Sequence, residues 1–579
     1  MPTVAAHATQ PWILPLANAG NVTMIGADDG PVELDVPVPA GLSTAALSGT
    51  LKGSAGSPVT LRVTAGDKAA SLLVDKDGAF DMKLPSLTGE VGLTVEVVAS
   101  GASVCAGVGG GEPPNVTDLN VQFDGVPAVP IRVGAFFPKV LDRVTIVAPT
   151  NGAGGSASAT LGAAAAVVRR YKAHIPMIEV TTKRPGAGAS PFERTIEIRP
   201  GGDAGFKIDD GVLLITGADA SLSLAASRLD DPRLSLGTEA WLAVAVVEKV
   251  AEAQALGASF TLKDAAPHGF SARDQRRARV NIVLEQSLFT SSFDRLDLDL
   301  SGRVQLLGGS GPVVLTTRLN GDIVHRSVPT EVGAFEVNVA GRNLIQEPRA
   351  VVTVEAQLVA AQACTPGAIS LEIDARSSGT ASSVGRVTNG FAAMATAWNS
   401  KPIDVTVRND VANLNVAAAL AVSMQSTTSR TLRFNAFAWD GGDVTVAGPA
   451  LTTEVIAQAD KEAWPLGSAA FVANTSGNRL VVVRSTSADA VRSVLDSFSR
   501  RGRGWADVAG DVLVVDRSGA QSVGWLHAPT PRSVTTAGSG GFREHVLRLF
   551  GLGVAAVVVA VFLLELARRI RRTRRDRVT

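Results

Sequence analysis

The residues that could do chemistry are few and poorly grouped. Six histidines (His7, His174, His268, His325, His527 and His545) are scattered over 579 residues, and none forms HExxH or another metal-ligand spacing. No GxSxG nucleophile elbow occurs. Asp209-Asp210, Asp230-Asp231 and Asp297/Asp299 bring carboxylates close in sequence. Glycoside hydrolysis needs two carboxyls about 5–10 Å apart in a sugar cleft, and no pattern around these pairs supports one. Gly152-Ala153-Gly154-Gly155-Ser156 follows an apolar strand and opens a helix, as phosphate loops do. It lacks the third glycine of GxGxxG, and no GK[ST] follows, so it reads as a helix start with Ser156 as N-cap. No catalytic residue, metal or cofactor is expected.

Sugar recognition needs flat aromatic surface with hydrogen-bonding rims. Trp439 ends a predicted strand in FAWDGG, Trp464 precedes Pro465, and Trp505 sits in RRGRGWADVAG. These three are the carbohydrate-contact candidates, with ordinary packing as the alternative use. Trp241, within WLAVAVV, is expected in a core. Cys105 and Cys364 are the only cysteines, too few for a disulfide scaffold or a Cys-based zinc module.

The elements that must position such residues come in two copies. Gly56-Ser57-Pro58-Val59-Thr60-Leu61 is similar to Gly311-Pro312-Val313-Val314-Leu315, and Gly78-Ala79-Phe80-Asp81 to Gly333-Ala334-Phe335-Glu336. The cysteines follow at nearly the same offset, so the body reads as a duplication of about 255 residues. Each copy opens with short strands bounded by Gly, Pro, Asp and Ser. Val59 to Thr64, Ala70 to Val74 and Leu93 to Val98 belong to the first. Leu296 to Leu300, Val313 to Leu319, Phe335 to Val339 and Ala350 to Leu358 belong to the second, with Asn320-Gly321-Asp322 as a hairpin signal. Such runs predict β-sandwiches or jelly rolls. Each copy then alternates strand and helix: Arg143 to Ala148, a helix from Ala157 to Tyr171, Met177 to Thr181, Val212 to Thr216 and a helix from Ala220 to Leu229 in one. Ile403 to Val407, a helix across Val411 to Met424, Leu432 to Ala438 and Leu480 to Arg484 repeat the theme. This alternation predicts flavodoxin-like α/β domains with parallel sheets. Two Cys residues placed alike in duplicated domains fit either a disulfide across a pseudo-twofold axis or two separate buried thiols.

The predicted order is an extension at 1–20, β-sandwiches at 21–133 and 267–386, α/β domains at 134–266 and 387–529, and a linker at 530–541. An interfacial or transmembrane helix at 542–567 and a basic tail at 568–579 complete it. Leu549 to Ala567 is apolar except for Glu565, and 19 helical residues span about 28 Å, close to a bilayer core. Gly551/Ala555 and Ala556/Ala560 place small residues four apart, where a second membrane helix could pack. The tail holds Arg568, Arg569, Arg571, Arg572, Arg574 and Arg575, and with a seventh Arg and one Asp it carries +6 of a chain whose net charge is zero. The rest therefore carries −6, which disfavours nucleic acid as a partner. The positive tail predicts a cytoplasmic C-terminus against anionic lipid, and a body outside. Met1 to Gly20 has no charged or apolar signal pattern, so the start is expected to lie further upstream.

Several stretches resemble the periplasmic regulatory (B) subunit family of bacterial cellulose synthase. FDRLDLDLSG from Phe293, VVLTTRLNGDIVHRSVP from Val313, FEVNVAGRNLI from Phe335 and the late Cys364 carry the likeness in copy two. VGAFFPKVLDRVTIVAP from Val133 looks like the family's lead into its first α/β domain. The resemblance implies two jelly-roll carbohydrate-binding domains interleaved with two flavodoxin-like domains and one membrane helix. It implies a non-catalytic accessory subunit partnered with a membrane-embedded family 2 glycosyltransferase, the nascent polysaccharide and membrane lipid. The alternative is a stand-alone anchored glycan-binding or adhesion protein. Arg273 and Arg277 match RxxxR, half of a cyclic di-GMP site, but no D/NxSxxG companion follows.

Overall fold

The computed structural model describes residues 11–27, 31–54, 58–99, 114–150, 154–185, 190–243, 256–265, 270–274, 277–289, 293–307, 312–327, 333–344, 349–358, 368–382, 402–407, 411–428, 430–437, 444–447, 469–474, 479–483, 492–493, 495, 512–515 and 521–524. It is mostly β-sheet with few helices.

The chain opens with β1 (Trp12–Pro15), β2 (Met24–Gly26), β3 (Val32–Pro37), β4 (Leu42–Lys52), β5 (Val59–Ala65), β6 (Lys68–Val74), β7 (Gly78–Lys83), β8 (Glu90–Ala99) and β9 (Asn115–Gly125). They form two antiparallel sheets, one ordered β1-β9-β4-β7 with β2 beside β9, the other β3-β8-β5-β6. Apolar residues alternate along the strands and meet between the sheets: Leu47, Val121 and Phe123 from one, Leu34, Val63 and Val95 from the other. Residues 12–15, expected in an extension, instead pair with β9 and bury Leu14 in this core. Hydrophobic burial of Leu14 and the following Leu16 holds the segment against the sheet.

Next come β10 (Arg143–Val147), α1 (Gly154–Arg170), β11 (Met177–Thr181), β12 (Glu193–Asp209), β13 (Val212–Gly217), α2 (Asp219–Ser227) and β14 (Trp241–Ala243). The sheet order is β11-β10-β12-β13 with β14 on β12. Only β11, β10 and β12 run parallel; β13 and β14 are antiparallel to β12. The expectation of a parallel sheet fails here because Asp210 and Gly211, at φ 49° and 74°, turn the chain straight back.

The second sandwich contains β15 (Ser259–Thr261), α3 (Leu262–Ala265), β16 (Ser271–Asp274), β17 (Arg277–Glu285), β18 (Arg295–Leu307), β19 (Val313–Leu319), β20 (Asp322–Ser327), β21 (Ala334–Gly341), β22 (Arg349–Leu358), β23 (Ala368–Ile373) and β24 (Ser378–Ser382). One sheet runs β15-β24-β18-β23-β16 with β21 on β18, and the facing sheet runs β17-β22-β19-β20. Asn320 (φ 50°) and Gly321 (φ 93°) make the expected tight turn between β19 and β20. The Gly-Ala-Phe markers of the duplication now have a packing reason. Phe80 lies across from Gly49, and Phe335 across from Gly302; a Cβ at those glycines would meet each ring within 2.9 and 2.5 Å. Each phenyl ring covers a cross-strand glycine, which leaves no room for a larger residue there.

The last described region has β25 (Ile403–Val407), α4 (Val411–Ser426), β26 (Phe434–Phe437), β27 (Val444–Ala447), β28 (Ala469–Asn474), β29 (Arg479–Val483), β30 (Val512–Val515) and β31 (Gln521–Gly524). They form one sheet ordered β26-β25-β27-β29-β28-β30-β31, parallel through β29 and antiparallel beyond it.

The two α/β regions share a single core. Ala159 to Val168 of α1 and Val416 to Met424 of α4 are buried together with β10 and β25. A helix apolar on every side must be enclosed, and alanine-rich faces let the two helices approach closely. The seam has local pseudo-twofold symmetry. Asn415 of α4 accepts the Val180 N–H of edge strand β11 at 3.0 Å, and Ser158 of α1 accepts the Ala436 N–H of edge strand β26 at 2.7 Å. Val180 pairs beside Ile146, and Ala436 beside Val405, so the two contacts occupy equivalent places. Each copy thus covers an exposed strand edge of the other. Arg169 adds a polar tie, donating to Asp230 at 2.7 Å and to Gln425 of α4 at 3.1 Å.

Among the described residues, no helix is long and apolar enough to cross a membrane. The predicted membrane helix with Gly551, Ala555, Ala556 and Ala560, and the tail with Arg568, Arg569, Arg571, Arg572, Arg574 and Arg575, lie outside the described residues.

Candidate functional site

The outer face of β17-β22-β19-β20 forms an open groove of about 500 Å³. Strand alternation sets it up. In RARVNIVLE, Ala278, Val280 and Ile282 point into the sandwich core, so Arg277, Arg279 and Asn281 point out. On β19, Leu315 and Leu319 point in, and Thr316 and Arg318 point out; Arg326 of β20 lies across from Thr316. Thr353, Glu355 and Gln357 of β22 form the middle of the face, and Gly321 and Ile323 close one end at the hairpin turn.

Glu355 is the groove's one carboxylate, and its side chain is only 8% exposed. Its Oε2 accepts Arg279 Nε at 3.0 Å and Nη2 at 2.6 Å, and its Oε1 lies 3.6 Å from Arg277 Nε. Both guanidiniums are about half exposed, and Arg279 is tied to the sheet through its Nε and Nη2. Arg318 Nη1 donates to the Gly321 carbonyl at 3.3 Å, and Thr353 donates to Asn281 at 2.8 Å. Four arginines and one glutamate give the groove a net charge of +3. The arrangement is a cluster of guanidinium donors, suited to hydroxyls and anionic groups.

The residues singled out in the sequence fall elsewhere. Trp439, Trp464, Trp505, Cys105 and Cys364 lie outside the described residues. Trp241 is not in a core: it is 45% exposed on β14, a three-residue edge strand. The apolar run around it reads as buried, but an edge strand leaves one side open. The paired carboxylates are structural. Asp209 and Asp210 belong to the β12–β13 turn, and Asp230 holds Arg169. Asp231 accepts the Arg233 N–H at 2.9 Å, and the Arg233 guanidinium holds its carboxyl below the usual range. Asp299 accepts Asn338 at 2.7 Å. Arg273 and Arg277 stand on strands of different sheets, and only Arg277 lines the groove.

Ser156 is not an N-cap; it is buried inside α1, and its carbonyl accepts Thr160 Oγ1 at 2.8 Å. The glycines ahead of it serve close approach. A Cβ at Gly154 would lie 2.7 Å from the Ala436 carbonyl, and one at Gly155 would lie 2.6 Å from the Asp219 side chain. Among the described residues, no cluster of His, Cys, Asp and Glu could hold a metal ion.

The groove itself was not singled out from sequence, although the alternation Arg277-x-Arg279-x-Asn281 carried a signal. No family model and no curated protein matches the chain. Solved structures match weakly. A family two carbohydrate esterase from Cellvibrio japonicus matches at 10% identity and TM-score 0.12, over 30% of this chain and 52% of that one. The N-terminal CBM22-1-CBM22-2 tandem domain of Paenibacillus barcinonensis Xyn10C matches at 10% identity and TM-score 0.12, over 66% and 90%. The M60 catalytic domain with CBM51-1 and CBM51-2 from Clostridium perfringens ZmpB matches at 8% identity and TM-score 0.14, over 61% and 33%. This chain spans about half the length of the carbohydrate esterases it matches. Likeness at this level carries no argument about fold or function.

Proposed function

We propose that this chain is a non-catalytic, glycan-holding subunit of a membrane polysaccharide synthase. The observation that carries the reading is the donor-rich groove on the second sandwich. It is an open groove on the outer face of a sheet, and its one carboxylate is paired with two arginines. The duplicated order of β-sandwich and α/β region, read as jelly rolls and flavodoxin-like units, supports the same assignment. So does the apolar run Leu549 to Ala567, which would place a packing face of Gly551 and Ala555 against a family 2 glycosyltransferase.

The test is co-purification in mild detergent with a tag on the arginine tail, with partners identified by mass spectrometry. A multi-span glycosyltransferase is expected. The double substitution Gly551→Leu with Ala555→Leu should lose that partner and polymer output while the body still folds. Recovery of the intact chain without any such enzyme overturns the synthase assignment in favour of a stand-alone surface glycan-binding protein.

A further inference from the structure

We infer that the groove of the second sandwich takes an acidic glycan, a chain bearing uronate carboxylates, rather than a neutral one. The inference rests on the glycan-holding reading above and names its ligand class. Arg277, Arg279, Arg318 and Arg326 converge from three strands on one face around a single glutamate. Packing like charges together costs the folded state, so such a cluster calls for an opposite charge to face it.

The first sandwich is an internal control for whether the fold needs this charge. Register places Glu96 opposite Arg62, as Glu355 is opposite Thr316. Thr64 opposite Thr94 takes the place of Arg318 opposite Thr353. Ser71 opposite Arg62 takes the place of Arg326 opposite Thr316. Pro31, just before the Val32–Val95 pair, takes the place of Arg279. Copy one thus keeps the glutamate and balances it with one arginine, 3.6 Å away. The same sandwich folds in the same chain with Thr64 and Ser71 at the places of Arg318 and Arg326, so those two guanidiniums are not required by the fold.

The geometry favours carboxylates. Glu355 and the Gly321 carbonyl fix one side of Arg279 and Arg318 and leave planar N–H edges facing the groove. A guanidinium edge matches a carboxylate with two parallel hydrogen bonds and gains charge that a neutral hydroxyl pair does not supply. The Thr316, Thr353 and Gln357 side chains beside them can serve ring hydroxyls.

The test uses the full chain in mild detergent, with calorimetric titration of oligogalacturonate, a neutral cello-oligosaccharide of equal length, and a single-stranded oligonucleotide. The variant is Arg318→Thr with Arg326→Ser, which installs the residues copy one already tolerates; circular dichroism confirms that it folds. Oligogalacturonate should bind, should weaken as salt rises from about 0.05 M to about 0.5 M, and should lose about tenfold or more in affinity in the variant. Equal binding of the neutral oligosaccharide, with no loss in the variant, overturns the acidic-glycan inference and leaves the glycan-holding reading standing. Binding of neither sugar overturns both. Oligonucleotide binding as tight as the uronate overturns selectivity for a glycan.

Discussion

Thr317→Val should stabilise the second sandwich. Thr317 lies on β19 between the inward-facing Leu315 and Leu319, is 0% exposed, and its hydroxyl has no hydrogen-bond partner. An orphaned hydroxyl in a protein core costs about 1–3 kcal/mol. Valine has the same branched shape and the same strand preference, so neither packing nor the unfolded chain changes much. The methyl group that replaces the hydroxyl adds roughly 0.8 kcal/mol of burial. Strain from a slightly larger group offsets part of this, and a net gain of about 1–2 kcal/mol is expected. Copy one already carries the result, since Val63 faces Val95 as Thr317 faces Val354. A global melt of a chain with several cores is not two-state, so the readout must be local. Amide hydrogen exchange by mass spectrometry should slow by about tenfold in β19 and β22. β5 and β8 should not change. The reverse substitution, Val63→Thr, should speed exchange in the first sandwich by a comparable factor. A loss of protection in Thr317→Val, or a neutral Val63→Thr, would refute the premise that the hydroxyl is unsatisfied.

Two more expectations concern the α/β regions. Ser158→Ala and Asn415→Ala each orphan one edge-strand N–H, at Ala436 and Val180. Each should cost about 1–2 kcal/mol and raise proteolysis at the α1–α4 seam, and equal sensitivity of seam and sandwiches would show that the caps do not hold it. Tyr171 is buried, and its hydroxyl donates to the Pro138 carbonyl at 2.8 Å. Burial pushes its pKa well above the usual value. Its contribution is therefore complete below the unfolded value of about 10 and is lost as pH rises above it. Tyr171→Phe should flatten the alkaline rise in limited proteolysis around α1 above that pH; an unchanged slope would assign the loss to another group.

The local elements are legible in the amino-acid order alone. Short runs bounded by Gly, Pro, Asp and Ser mark β5, β19 and β22, and apolar runs ahead of Ala-rich stretches mark β10, α1, β25 and α4. The Asn320-Gly321 turn was legible because two adjacent positive-φ positions demand those residue types. Asp210-Gly211 carries the same chemistry, yet as the second half of an Asp-Asp pair it reads equally as a carboxylate site, and the strand reversal it makes shows only in the pairing of β12 with β13. Which faces meet follows from the assembled fold. The seam between α1 and α4 joins residues 257 apart, Ser158 and Asn415 serving equivalent strand edges, and its small residues are ordinary alanine-rich helix until the other copy arrives. The groove arginines sit on three strands, from Arg277 to Arg326, and their spacing follows from hydrogen-bond register rather than from sequence separation. Trp241 shows the same limit from the other side. Hydrophobicity predicted burial, but a residue at a sheet edge has a neighbour on one side only, and local sequence does not say which strand ends the sheet.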